Sequence, residues 1–155
     1  MATREAVNQQ VFGILTEQGV PLKKLDEETL VAQAPGEDAT AAVFVDVLDG
    51  PPWVGVVIRL RAPVLQDVAP TDETQAKAVF LMNNLNVDSQ FGRYVYHGDK
   101  GLISLEYELL GDELQASELL ASLILIATRA DQLDEELKEY LGTGSRFFES
   151  DEPVA

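Results

Sequence analysis

FGRYVYHGDKGLISLEYELLGDELQASELLASLILIATRADQLDEELKEYL, residues 91–141, is the stretch that decides the fold. Its first half alternates. From Leu102 to Leu110, one face reads Ile103, Leu105, Tyr107 and Leu109; the other reads Leu102, Ser104, Glu106, Glu108 and Leu110. This is the period of a strand with one buried and one wet face. Phe91 to His97 behaves alike, with Tyr94 and Tyr96 on one face and Phe91, Arg93, Val95 and His97 on the other. Gly98 and Gly101 bracket Asp99-Lys100, so a tight turn joins the two. So short a link excludes a parallel pair.

The second half changes period. Leu119, Leu123, Ile126, Ala130, Leu133, Leu137 and Leu141 step by three and four, an apolar helical stripe. Leu120, Ile124 and Ala127 widen it, giving the first half room to face both a sheet and a second subunit. Asp134, Glu135, Glu136, Lys138 and Glu139 lie off the stripe. With Asp131 they read as a solvated face rather than an ion site. About 25 residues at ~1.5 Å each make a rod of roughly 35–40 Å, long enough to cross a sheet. Gly142 is the expected stop.

Working outward, Thr3 to Gln18 predicts a first helix with Val7, Val11, Ile14 and Leu15 inward and Thr3 as its cap. Leu22 to Glu28 reads as a polar connection. Thr29–Ala34, Ala41–Leu48 and Trp53–Arg61 predict three strands, the last two separated by Asp49-Gly50-Pro51-Pro52. Pro63 to Pro70 reads as a linker. Thr71 caps a second helix whose apolar face is Ala78, Leu81, Met82 and Leu85. The expectation is one α+β domain over residues 1–143, ordered helix, three strands, helix, two strands, helix. Its mostly antiparallel, five-stranded sheet packs against the helices. Residues 144–155 read as an acidic flexible tail, with Phe147 and Phe148 able to dock back.

Composition narrows the chemistry. There are 27 acidic and 11 basic residues, a net charge of −16. Such a field repels nucleic acid and anionic membranes and attracts basic partners. Cysteine is absent, which removes disulfides, thiolate catalysis and thiolate zinc sites. Neither a signal peptide nor a membrane span is visible, and a cytoplasmic location is expected. His97 is the single histidine. No Gly-x-Ser-x-Gly motif accompanies it, and no phosphate loop or calcium loop occurs. No catalytic residue, metal or cofactor is assigned.

Leu85-Asn86 ahead of the hairpin, the Gly98-Asp99-Lys100-Gly101 turn, the strand Leu102-Ile103-Ser104-Leu105-Glu106 and the helix start Ser117-Glu118-Leu119-Leu120 together resemble the YbjN family of bacterial sensory-transduction regulators. The element order also resembles the type III secretion chaperone-like fold. The resemblance implies a non-enzymatic, often dimeric domain that binds protein segments, and it carries no catalytic residues. The expected function is thus a homodimeric protein-binding or regulatory module, chaperone-like or a sensory-transduction regulator. A dimer is expected to use the second helix and the Phe91–Leu110 hairpin, with Tyr94, Tyr96 and Leu102 as the candidate contacts, and Trp53 is the candidate partner contact. The alternative is a pocket for an anionic small ligand, or an enzymatic domain, around Arg59, Arg61 and Arg93, rare cations in an acidic chain.

Overall fold

The computed structural model describes residues 1–35 and 40–147. The elements run α1 (Arg4–Glu17), β1 (Leu22–Lys24), β2 (Thr29–Pro35), β3 (Thr40–Asp49), β4 (Val56–Gln66), α2 (Asp72–Asp88), β5 (Arg93–His97), β6 (Leu102–Leu110), α3 (Ala116–Leu141) and β7 (Ser145–Arg146). The sheet order is β1-β2-β3-β4-β6-β5, every pairing is antiparallel, and β7 joins β4. The α+β class and the element order agree with the sequence, with two short strands added.

Both added strands have local causes. Asp26 accepts hydrogen bonds from the backbone N–H of Glu28 (2.8 Å) and Thr29 (2.7 Å). These bonds hold its carboxyl below the usual carboxylate range. That side-chain turn folds residues 22–24 back onto β2, so the supposed connection is partly a strand. At the other end, residues 145–146 pair with Leu65 and Gln66. Of the stretch read as a tail, 148–155, including Phe148, lies outside the described residues.

β4 also runs past the expected end. Pro63, read as the start of a linker, sits where the β4–β6 register shifts between Pro63 and Leu65. A bulge accommodates a residue without an N–H, and Val64 and Leu65 then bury their side chains.

The helices share one face of the sheet. Val43, Val45 and Val47 of β3, Ile58, Leu60 and Ala62 of β4, and Leu105 and Leu109 of β6 point to it. They meet Val7, Val11 and Leu15 of α1, Ala78 and Met82 of α2, and Leu119, Leu123, Ile126 and Leu137 of α3 in one core. The caps are those the sequence predicts. Thr3 Oγ1 accepts from Ala6 N (3.2 Å), Thr71 Oγ1 accepts from Thr74 N (3.2 Å), and Gly142 closes α3 at φ 68°.

Candidate functional site

Among the described residues, no helix packs on the other face of the sheet, and alternation places a distinct set of side chains there. Register arranges them in rows across the strands. Leu48, Val57 and Leu110 form an apolar row. Next come Thr29, Asp46, Arg59 and Glu108, and then Val31, Phe44, Arg61, Glu106 and Arg93. Ser104 with Val95, and Leu102 with His97, finish the face.

The polar rows form a lattice of two hydrogen-bonded groups, one around Asp46 and one around Glu108 and Glu106. Asp46 accepts from Thr29 Oγ1 (2.7 Å) and Arg61 Nε (2.8 Å). Glu108 Oε1 accepts from Arg59 Nε (3.0 Å) and Arg93 Nη2 (3.1 Å). Arg93 reaches on to Glu106 (3.5 Å). Glu106, only 5% exposed, also accepts from Ser104 Oγ (3.2 Å). A buried carboxylate needs such partners to stay charged. The guanidinium of Arg61 lies 5.5 Å from the centre of the Phe44 ring, and Phe147 meets that ring edge-on at 6.1 Å. Phe147 therefore docks back as expected.

The lattice brings Arg59, Arg61 and Arg93 onto one surface, each with a carboxylate in reach. His97 belongs to it too. Its Nε2 lies 3.3 Å from both Ser104 Oγ and Glu106 Oε1. One ring nitrogen faces both groups, whereas a nucleophilic relay needs the serine and the acid on opposite nitrogens. Among the described residues, no three His, Asp or Glu side chains gather to hold a metal ion.

The remaining candidates are dispersed. Trp53 lies in the β3–β4 turn, beyond the apolar row, and is 84% exposed. Tyr94 points to the helix-covered face and is only 4% exposed. Burial raises its phenol above the ordinary value, while Arg129 pulls it back. Tyr96 is half-buried on that face, and its hydroxyl is buried without a hydrogen-bond partner among the described residues. Leu102 is half-buried on the opposite face.

Three features escape a reading of the sequence alone. Asn86 clamps the outer edge of β5: its amide accepts from Tyr94 N (2.6 Å) and donates to Tyr94 O (2.9 Å). It stands in for a neighbouring strand and blunts the edge. On α2, Val79, Phe80 and Val87 are exposed, opposite the buried stripe. On α3, Asp131 and Asp134 are buried rather than solvated, and Arg146 of β7 bridges them.

A family model described as T3SS (YopN, CesT) and YbjN peptide-binding chaperone 1 matches residues 6–150. Among solved structures, the chain is similar to one in the crystal structure of the ExsC–ExsE complex. The match has a TM-score of 0.56 at 20% identity, over 88% of this chain and 97% of that one. At that identity the likeness is one of fold. No curated protein sequence matches the chain.

Proposed function

The chain belongs to the family of T3SS (YopN, CesT) and YbjN peptide-binding chaperones, and from that membership we propose that it holds a peptide segment of a partner protein on the helix-free face of its sheet. The observation that carries this reading is the row Leu48, Val57 and Leu110, apolar and beside the arginine–carboxylate lattice, with Leu110 61% exposed. Apolar side chains left on a strand's outer face are otherwise an aggregation hazard. Here they supply anchor contacts, Trp53 extends them, and the lattice supplies hydrogen-bonding groups that fix a segment's register. The net charge of −16 favours a basic segment. The module binds and does not catalyse. A small anion would have to displace carboxylates already held by Arg59, Arg61 and Arg93, so a peptide is the better occupant.

The same reading makes the protein a cytoplasmic homodimer, a chaperone or regulator by holding its partner's segment. No helix of the described residues is long and apolar enough to cross a membrane. Val79, Phe80 and Val87 give α2 a stripe suited to a second copy. It is better exposed than Tyr94, Tyr96 and Leu102 of the hairpin. Phe80→Asp is expected to halve the mass seen by light scattering; an unchanged dimer mass would contradict the stripe's role.

Selection of a displayed random-peptide library on the purified protein tests the binding face. Selected peptides are expected to lose at least roughly tenfold in affinity for Leu110→Asp, the effect of placing a charge in an apolar contact. Peptides that bind wild type and Leu110→Asp equally would place the site elsewhere.

A further inference from the structure

β3 and β4 pair from Asp49–Val56 as far as Phe44–Arg61. β4 continues to Gln66, and a water-sized notch lies between Ala41, Ala42, Pro63 and Val64 on the strands and Ala130, Asp131 and Asp134 on α3, with Arg146 and Phe147 forming its remaining wall. Two carboxylates one helical turn apart are buried here, with side chains 1% and 6% exposed. Burial holds Asp134 above the usual carboxylate range, although a hydrogen bond from Glu135 N and the charge of Arg146 pull it down. An acidic pair in that position requires a cation. Arg146 supplies it, with Nη2 on Asp131 Oδ1 and Nε on Asp134 Oδ2 (3.0 Å).

The element carrying that arginine is slight. Among the described residues, β7 pairs at Leu65–Arg146 and Gln66–Ser145. It is tethered through Gly142-Thr143-Gly144, whose glycines adopt φ 68° and 96°. The notch thus combines a strand edge for an extended backbone with a forked carboxylate site for a guanidinium, which arginine fits bidentately. A two-residue strand on a glycine hinge is the kind of element that opens locally.

We propose that this notch is a second peptide subsite, for an extended segment bearing an arginine, and that β7 is the chain's own occupant, a strap that an incoming segment displaces. The inference rests on the peptide-binding reading but names a different surface, behind the sheet's exposed rows. The strap lets the buried carboxylates stay paired when no partner is present. It also sets a threshold: only a segment that offers both an arginine and a strand backbone replaces what β7 supplies.

The probe is the acetylated, amidated pentapeptide Thr-Gly-Ser-Arg-Phe, matching residues 143–147. It is titrated into the full-length Arg146→Ala protein while amide NMR signals are followed. Saturable shifts are expected at Leu65, Gln66, Asp131 and Asp134. Wild type is expected to respond roughly fivefold or more weakly, because its tethered strap competes at an effective concentration in the millimolar range. The same peptide with glutamine in place of arginine is expected to give no saturable shift. Absent shifts in folded Arg146→Ala, or equal binding of the two peptides, overturns the proposal. If Arg146→Ala does not fold, the wild-type protein with excess peptide decides it. Faster amide exchange at Ser145 and Arg146 supports displacement, and unchanged exchange refutes it. An arginine-bearing library-selected peptide that is sensitive to Leu110→Asp yet leaves the notch amides unmoved would sink this inference and spare the primary site.

Discussion

The two faces of the sheet are made from alternate residues of the same strands, and they solve opposite problems. On one, Val45, Leu60 and Leu109 disappear under three helices. On the other, their neighbours pair by hydrogen bonds and ion pairs, Asp46 with Thr29 and Arg61 and Arg59 with Glu108, with no helix of the described residues above them. The first arrangement supplies stability, since burying a leucine is worth about 1.5–3 kcal/mol. The exposed pairs of the second, Arg59–Glu108 and Arg93–Glu108, supply little, roughly 0–1 kcal/mol each. Exposed charges such as Arg59 and Glu108 that add so little to folding, arranged beside exposed Leu110 and Trp53, are better understood as a surface for a partner.

That contrast can be broken most decisively by truncation on both sides of one strand. Leu60→Ala is expected to cost about 3 kcal/mol, the transfer loss plus a cavity. Val57→Ala, three residues earlier on the helix-free face, is expected to cost under about 1 kcal/mol. Urea denaturation measures both. Equal losses would mean that the helix-free face is packed as a core.

The next test concerns the buried charged site on the helix side, Asp131 and Asp134 with Arg146. Arg146→Ala leaves two buried carboxylates without their bridging guanidinium and is expected to cost about 3 kcal/mol or more near neutral pH. Its pH dependence has a definite sign. Burial raises the folded-state pKa of Asp134, so the folded protein holds that proton more tightly than the unfolded chain does. Stability from that carboxyl is therefore present at low pH. It is lost as pH climbs from the ordinary carboxylate value through the raised one. Arg146 offsets the loss, and without it the pKa rises further. Denaturation curves should show a smaller penalty at about pH 4 than at about pH 7. A penalty that grows toward acid would contradict the assignment.

Smaller effects sharpen the edges. Asn86→Ala removes both hydrogen bonds to the Tyr94 backbone and should cost about 1–2 kcal/mol. It should also speed amide exchange at Tyr94 and promote association through the freed edge. Unchanged exchange would show that the clamp is not what protects β5. Arg59→Ala is expected to be smallest, under about 1 kcal/mol in stability. Its effect should appear in peptide affinity, and a large stability loss there would make the lattice structural.

Much of this was legible from short-range pattern. The alternation from Leu102 to Leu110, the stripe from Leu119 to Leu141, the caps Thr3 and Thr71 and the stop at Gly142 all report periodicity or local sterics, and the structure has each of them. What escaped depends on long-range pairing. Leu22-Lys23-Lys24 is too short for any period and becomes a strand because Asp26 turns it back. Asp131 and Asp134 look like other carboxylates of α3 until Arg146 arrives from beyond the helix end. Asn86 looks like a helix terminator, and its role appears only once Tyr94 lies beside it. Arg59, Arg61 and Arg93 could be suspected of clustering from strand alternation, but their carboxylate partners are set by cross-strand register.

The central claim is that a peptide lies across the helix-free face. The most direct measurement places a photo-crosslinking side chain at Leu110 and, separately, at Gln132 on the solvent side of α3, then irradiates each protein with a library-selected peptide. Crosslinked peptide at position 110 and none at 132 is the expected result. Crosslinking at 132 with none at 110 would contradict the claim.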